Sequence, residues 1–151
     1  MDSLIIPLKV TEKGFAIEKN LKRSIDAMIE LLLTTPQFSM PADSGFGFVF
    51  NNLRFEIFNE QEGVVFDSND KGSVYGLPGL YNKKISGSSN NLNTYATELK
   101  NVIEKYENRL KDITVSMNYV RKERQVDVNV KGVIVSTGKE YVYTNKLKIW
   151  N

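Results

Sequence analysis

LNTYATELKNVIEKYENRLKDITVSMNYVRKERQVDVNVKGVIV, residues 92–135, changes its hydrophobic period without a break. Leu92, Tyr95, Ala96, Leu99, Val102, Ile103, Tyr106 and Leu110 recur at three- and four-residue spacing, which places them on one face of a helix. Beyond Leu110 the period falls to two. Ile113, Val115, Met117 and Tyr119 alternate with Thr114, Ser116 and Asn118, and Val126, Val128 and Val130 alternate with Asp127, Asn129 and Lys131. Such alternation marks half-buried strands. Arg121-Lys122-Glu123-Arg124 between the two runs is a polar turn short enough for a hairpin. The junction from helix to strands reads Tyr106-Glu107-Asn108-Arg109.

Working outward, Leu4, Ile6, Leu8 and Val10 alternate with Ile5, Pro7 and Lys9 and predict a short strand. Pro7 has no N–H to give a ladder, so this strand belongs at an edge or is merely extended. Thr11-Glu12-Lys13-Gly14 is a turn, and a helix follows over residues 20–34 with Asn20 as its N-cap. Leu21, Ile25, Met28, Ile29 and Leu32 form its apolar stripe, widened by Leu31 and Leu33 so that the last turn is expected to be buried on more than one side. Pro36 restricts Thr35 and ends it.

Residues 37–50 are rich in turn formers and hold four phenylalanines within thirteen residues, which must find a core or a partner. Leu53, Phe55 and Ile57 suit a strand or a short helix, and periodicity does not separate them. Residues 59–91 are punctuated by glycine and serine and read as a long surface insertion, dispensable for folding, with one short strand near Val64-Val65-Phe66. Asn90 or Asn91 caps the second helix. After the hairpin, Ser136-Thr137-Gly138-Lys139 turns the chain into a last strand in which Tyr141, Tyr143, Leu147 and Ile149 share a face, interrupted by Asn145. The expected architecture is a single α+β domain over residues 1–151: two helices packed on one face of an antiparallel β-sheet of three to four strands. Its most regular strands are expected at 112–120, 124–135 and 140–149.

At 151 residues the chain is long enough to bury a real core, and 41% hydrophobic with 25% charged residues is ordinary globular usage. Twenty basic against eighteen acidic residues provide no electrostatic reason to expect a nucleic-acid or anionic-membrane partner. No run approaches a membrane-spanning length, and the first residues lack the basic and apolar pattern of a signal peptide, so the expected setting is cytoplasmic. Cysteine is absent, which removes disulfides and thiolate chemistry, and a reducing compartment fits.

Histidine is absent too, so nucleophilic triads of the usual kinds are excluded. No glycine-rich phosphate loop is present, because Gly45-Phe46-Gly47 and Gly76-Leu77-Pro78-Gly79 lack both the spacing and a following lysine. A zinc site would need four oxygen ligands, which is rare. Paired carboxylates remain, since glycosidases use two. Glu104 and Glu107 lie three apart on the second helix, but Glu104 stands among Lys100 and Lys105 as a solvated residue. The aromatic residues and cations could form stacking platforms for single-stranded nucleic acid, yet acidic residues are interspersed and the phenylalanines sit in apolar surroundings. The residues therefore point to a non-enzyme without metal, cofactor or small-molecule substrate.

Three features in order carry a resemblance. A helix ends in Leu32-Leu33-Thr34-Thr35-Pro36, a loop holds Pro41 and Phe46-Gly47-Phe48, and a second helix ends in Tyr106-Glu107-Asn108-Arg109-Leu110 before alternating strands. Over residues 14–135, the 59–91 insertion apart, the chain resembles the GPW-type baseplate wedge family. These are the sheath initiators of contractile phage tails, whose type VI secretion member is TssE. The family's hallmark is an aromatic residue followed by Glu-Pro-Arg. Glu107 and Arg109 match it, and Asn108 stands where the family has proline, so the turn relies on asparagine's tolerance of left-handed geometry and local hydrogen bonds.

The resemblance implies a structural protein. Its partners would be other wedge subunits and the contractile sheath protein, with strands offered to the first sheath ring by strand addition. Tyr106, Glu107, Arg109, Phe46, Gly47 and Phe48 would be the partner-binding residues. Some relatives have been described as lysozyme-like, and nothing in this chain supports that activity. The bland alternative for Glu107 and Arg109 is an exposed helix-end ion pair worth under ~1 kcal/mol. The alternative for the whole chain is a generic adaptor that binds a peptide through its aromatic loop.

Overall fold

The first helix starts where the Asn20 side chain accepts the Arg23 N–H at 3.2 Å, and in the computed structural model of the chain it runs as α1, Leu21–Thr34. The structure describes residues 3–48, 65–67, 92–120 and 122–148. Ile25, Ile29, Leu32 and Leu33 are fully buried, with Leu21 and Met28 packed beside them. Leu31 departs from the expected burial of the last turn and is 36% exposed. Its direction around the helix lies on the far side from Ile25 and Ile29, so only Leu33 widens the stripe. Thr35 is already extended (φ −89°, ψ 123°), as a residue before proline prefers.

The amino-terminal segment is a ribbon rather than one strand. β1 (Ser3–Leu4) pairs with β4 (Ile17–Glu18), and β2 (Val10–Thr11) pairs with β3 (Gly14–Phe15), both antiparallel. The Ile5 N–H donates to the Ala16 carbonyl at 3.2 Å and the Ala16 N–H to the Lys9 carbonyl at 2.8 Å. Ala16 alone thus spans the detour that holds Pro7, which cannot contribute a ladder donor.

Among the described residues the main sheet has four antiparallel strands in the order β5 (Val65–Asp67), β6 (Leu110–Val120), β7 (Gln125–Ile134) and β8 (Glu140–Lys148). Register lines up the inward rows: Val115 with Val130 and Tyr143, Met117 with Val128 and Asn145, Tyr119 with Val126 and Leu147. Helix α2, Leu92–Tyr106, lays Tyr95, Ala96, Leu99 and Ile103 into the same fully buried core as α1. The result is the expected α+β architecture.

Two boundaries differ from the periodicity. Leu110 opens β6 instead of closing the helix. Lys111 pairs with Val133 and Thr114 with Lys131, so Asp112 and Ile113 together face only Gly132. This bulge, with Asp112 at φ 52°, lets Leu110 and Ile113 both point inward although they lie three positions apart, a spacing that would put them on opposite faces of a regular strand. The short strand expected near Val64-Val65-Phe66 is present at Val65–Asp67, paired with Asn118, Met117 and Ser116 of β6. The readings at Leu53, Phe55, Ile57, Asn90, Asn91 and Ile149 lie outside the described residues.

Candidate docking site at the end of the second helix

The last turn of α2 closes with the Glu107 N–H on the Ile103 carbonyl at 2.8 Å, and the chain then turns into β6. Glu107 folds its side chain back over that turn. Its Oε1 accepts the Arg109 backbone N–H at 3.1 Å and Arg109 Nε at 2.7 Å, and its Oε2 accepts Arg109 Nη2 at 2.6 Å. A planar guanidinium and a carboxylate meet here as a bidentate pair, the strongest form of this contact. The Glu107 side chain is 2% exposed and that of Arg109 26%. The pair is therefore not the exposed ion pair of the bland alternative. Hydrogen bonding to Glu107 raises the Arg109 guanidinium above its already high ordinary pKa.

Arg109 also reaches two other elements. Its Nη1 donates to Ser24 Oγ at 2.7 Å and Ser3 Oγ at 3.2 Å, and its Nη2 to the Ser24 carbonyl at 3.4 Å. One guanidinium thus ties α1, β1 and the end of α2 together. Asn108 is exposed and does not adopt the left-handed geometry expected of it. The Glu107 carboxylate, by capturing the Arg109 N–H, shapes the turn instead.

The aromatic loop packs on the same helix end. Phe46 meets the Tyr106 ring edge-on at 5.1 Å, and Phe48 meets Tyr95 at 6.2 Å. Phe48 is fully buried and Phe46 is 9% exposed, so these two rings go to the core rather than outward. Gly47 has φ 108°, and a Cβ there would stand 2.4 Å from the Thr35 carbonyl oxygen. Only glycine lets the loop pass beneath the end of α1, where the Phe48 N–H reaches that same oxygen at 2.8 Å. Tyr106 is half-buried and gives its hydroxyl proton to Asp43 Oδ2 at 2.7 Å. That bond holds the Asp43 carboxyl below its ordinary pKa.

The six residues singled out in the sequence are thus brought together, but mostly facing inward. Arg109 and Tyr106 keep an outward side. Glu104 pairs with Lys100 at 3.8 Å and stays apart on the wet face. Sequence reasoning missed Ser3, Ser24 and Asp43. Of these only Ser24 left a trace, as a small polar residue three past Leu21 and four before Met28, inside the apolar stripe. Among the described residues no group of acidic side chains could hold a metal ion.

No family model matches the chain, and no curated protein does. Among solved structures its fold is similar to that of a Geobacter sulfurreducens protein solved as a "putative tail lysozyme". The TM-score is 0.58 at 13% sequence identity, over 90% of this chain and 97% of that one. The likeness is one of fold and spans nearly the full length of both chains. Among the described residues no helix is long and apolar enough to cross a membrane.

Proposed function

We propose that this chain is a structural subunit of a contractile injection machine, a baseplate wedge component that docks on other wedge proteins and starts sheath assembly in the cytoplasm, within a type VI secretion system. The observation that carries the reading is the near full-length likeness in fold to a protein solved as a "putative tail lysozyme". The order of motifs and the Glu107–Arg109 pairing at the helix-to-strand turn agree with it.

The same geometry supports a non-catalytic role. A glycosidase needs two carboxyl groups presented to the sugar, one of them as an acid. Both oxygens of Glu107 are engaged by Arg109, so neither is presented to a substrate. The edge at β8 supplies a physical route to the sheath. Among the described residues β8 pairs only with β7, and its outer side carries exposed Glu140, Val142, Thr144, Lys146 and Lys148. Strand addition there would draw affinity from main-chain hydrogen bonds, while the lysines discourage indiscriminate edge pairing.

The test is genetic. Cells lacking this chain should assemble no fluorescent sheaths, and the wild-type gene supplied in trans should restore them. Sheath counts unchanged by the deletion would overturn the reading.

A further inference from the structure

The outer edge of β8 is long and regular. β8 stays in register with β7 from Lys148 opposite Gln125 to Glu140 opposite Val133, without the bulge that interrupts the pairing of β6 with β7. Glu140–Lys148 contains neither proline nor glycine. Among the described residues nothing pairs with its other side, so the main-chain groups there belong to no ladder. Natural edges are often blunted by proline, a bulge or a very short strand, and β8 uses none of these. Such an edge is matched by one kind of partner, an extended segment that continues the ladder.

The charges beside this edge differ between its two sides. On the side of the sheet away from the helices, Lys146 and Lys148 project from β8, both exposed, and Lys131 stands on β7 across from Val142. Asp127 is opposite Lys146, but its carboxylate accepts Gln125 Nε2 at 2.9 Å, and among the described residues no ion pair joins it to a lysine. Glu140, the acid of β8, lies at the far end of the strand from these lysines. On the inner side lie the partly buried Tyr143 and Asn145, and α1 brings the exposed Glu30 near the Tyr143 phenol. That phenol is raised above its ordinary pKa chiefly by burial, and the Glu30 charge adds to the shift. Asp26, one turn earlier on α1, is already matched by Lys22 and by the Tyr141 hydroxyl, whereas no cation pairs with Glu30 among the described residues. Cations therefore border the edge on one side, and an unmatched carboxylate borders it on the other.

We propose that β8 accepts an extended segment of a partner protein whose side chains alternate in charge, acidic beside Lys146 and Lys148 and basic beside Glu30. The inference rests on the wedge reading for the strand addition itself and deepens it by naming the chemistry of the incoming strand, which the charges at the edge supply. Successive side chains of a strand point to opposite sides of a sheet, so one alternating segment answers both charges at once. A segment that carries both signs on each side sets like charges together and is disfavoured. A second copy meets a conflict. Two antiparallel β8 strands with Glu140 opposite the copy's Lys148 match on the outer side, but Tyr143 then lies opposite Asn145 of the copy, and both Glu30 carboxylates share the inner side close to the symmetry axis.

The probe is a nine-residue peptide, the length of β8, that alternates glutamate and arginine, added to the isotope-labelled full chain and followed by amide shifts and hydrogen exchange. The control peptide has the same composition with its charges in adjacent pairs, so that each side carries both signs. The alternating peptide should shift and protect β8 amides, and the control should bind at least about tenfold more weakly. Reversing one side, in the double variant Lys146→Glu with Lys148→Glu, should weaken the alternating peptide by a similar factor. Adding Glu30→Lys to that variant reverses both sides and should restore binding, because the peptide can turn over and offer its other face. Equal binding of the two peptides, no binding of either, or binding indifferent to these reversals would overturn the inference. A wild-type chain that dimerises in sedimentation with protection of β8 would overturn it too, in favour of the second copy. Each of these outcomes leaves untouched the sheath counts in deleted cells, by which the wedge reading stands or falls.

Discussion

Arg109 has two environments at once, a buried carboxylate on one side and solvent on the other. Removing it would leave Glu107, 2% exposed, without its cation. Loss of one partner from a buried pair costs several kcal/mol; because Arg109 is partly exposed, Arg109→Ala should cost roughly 2–3 kcal/mol in a denaturant titration. A loss below about 0.5 kcal/mol would show that Glu107 rehydrates freely. Asn108 tests the same turn from the other side. It is exposed and not left-handed, so Asn108→Pro should raise stability by about 0.5–1 kcal/mol by restricting the unfolded chain. At Asp43 the test is pH. Its folded-state pKa lies below the ordinary 3.8, so its stabilising contribution is present above the unfolded value and is lost as pH falls through the lowered one. Acid melts of Tyr106→Phe should therefore show less of this loss below about pH 4 than wild type.

Between elements, contacts are made by close passage and by single polar bridges. The loop beneath α1 depends on Gly47, whose missing side chain leaves room for the Thr35 carbonyl. Gly47→Ala adds an atom where none fits and strains a φ of 108°, so it should cost at least about 2 kcal/mol in the same titration. Helix α1 is also fastened to β8. The Tyr141 hydroxyl donates to Asp26 at 2.5 Å, and burial together with that bond pushes the phenol well above its ordinary pKa. Lys22 bridges to the same carboxylate at 2.9 Å. The β5 strand protects the edge of β6. Replacing Val65–Asp67 by Gly-Ser-Gly should bare that edge and produce concentration-dependent light scattering.

At the scale of the whole molecule, the described residues form two helices on one face of a four-stranded sheet, with β8 paired only to β7 among them and a braced loop at the end of α2. Such a scaffold suits assembly, where rigid surfaces must meet in register. Purified protein should leave peptidoglycan intact under conditions in which a control muramidase clears it. Clearance that vanishes in Glu107→Gln would make the chain an enzyme and end the structural reading.

Elements with one strong period were legible in the sequence itself. The α1 stripe, the α2 stripe and the alternation of Ile113, Val115, Met117 and Tyr119 each repeat a local spacing, and burial follows because one face must leave water. The Glu107 and Arg109 pattern was also visible, though not the direction in which it faces. Tertiary structure alone decided that direction, because Arg109 is held over Glu107 by Ser24 of α1, which lies 85 residues before it in the chain. It also decided which phenylalanine stays outside. Phe46 and Phe48 find Tyr106 and Tyr95 across the fold, while Phe38 is turned out by loop hydrogen bonds that leave no periodic mark. The bulge at Asp112 and the ribbon around Pro7 belong to the same class, since strand register is a property of two chain segments and neither carries it alone.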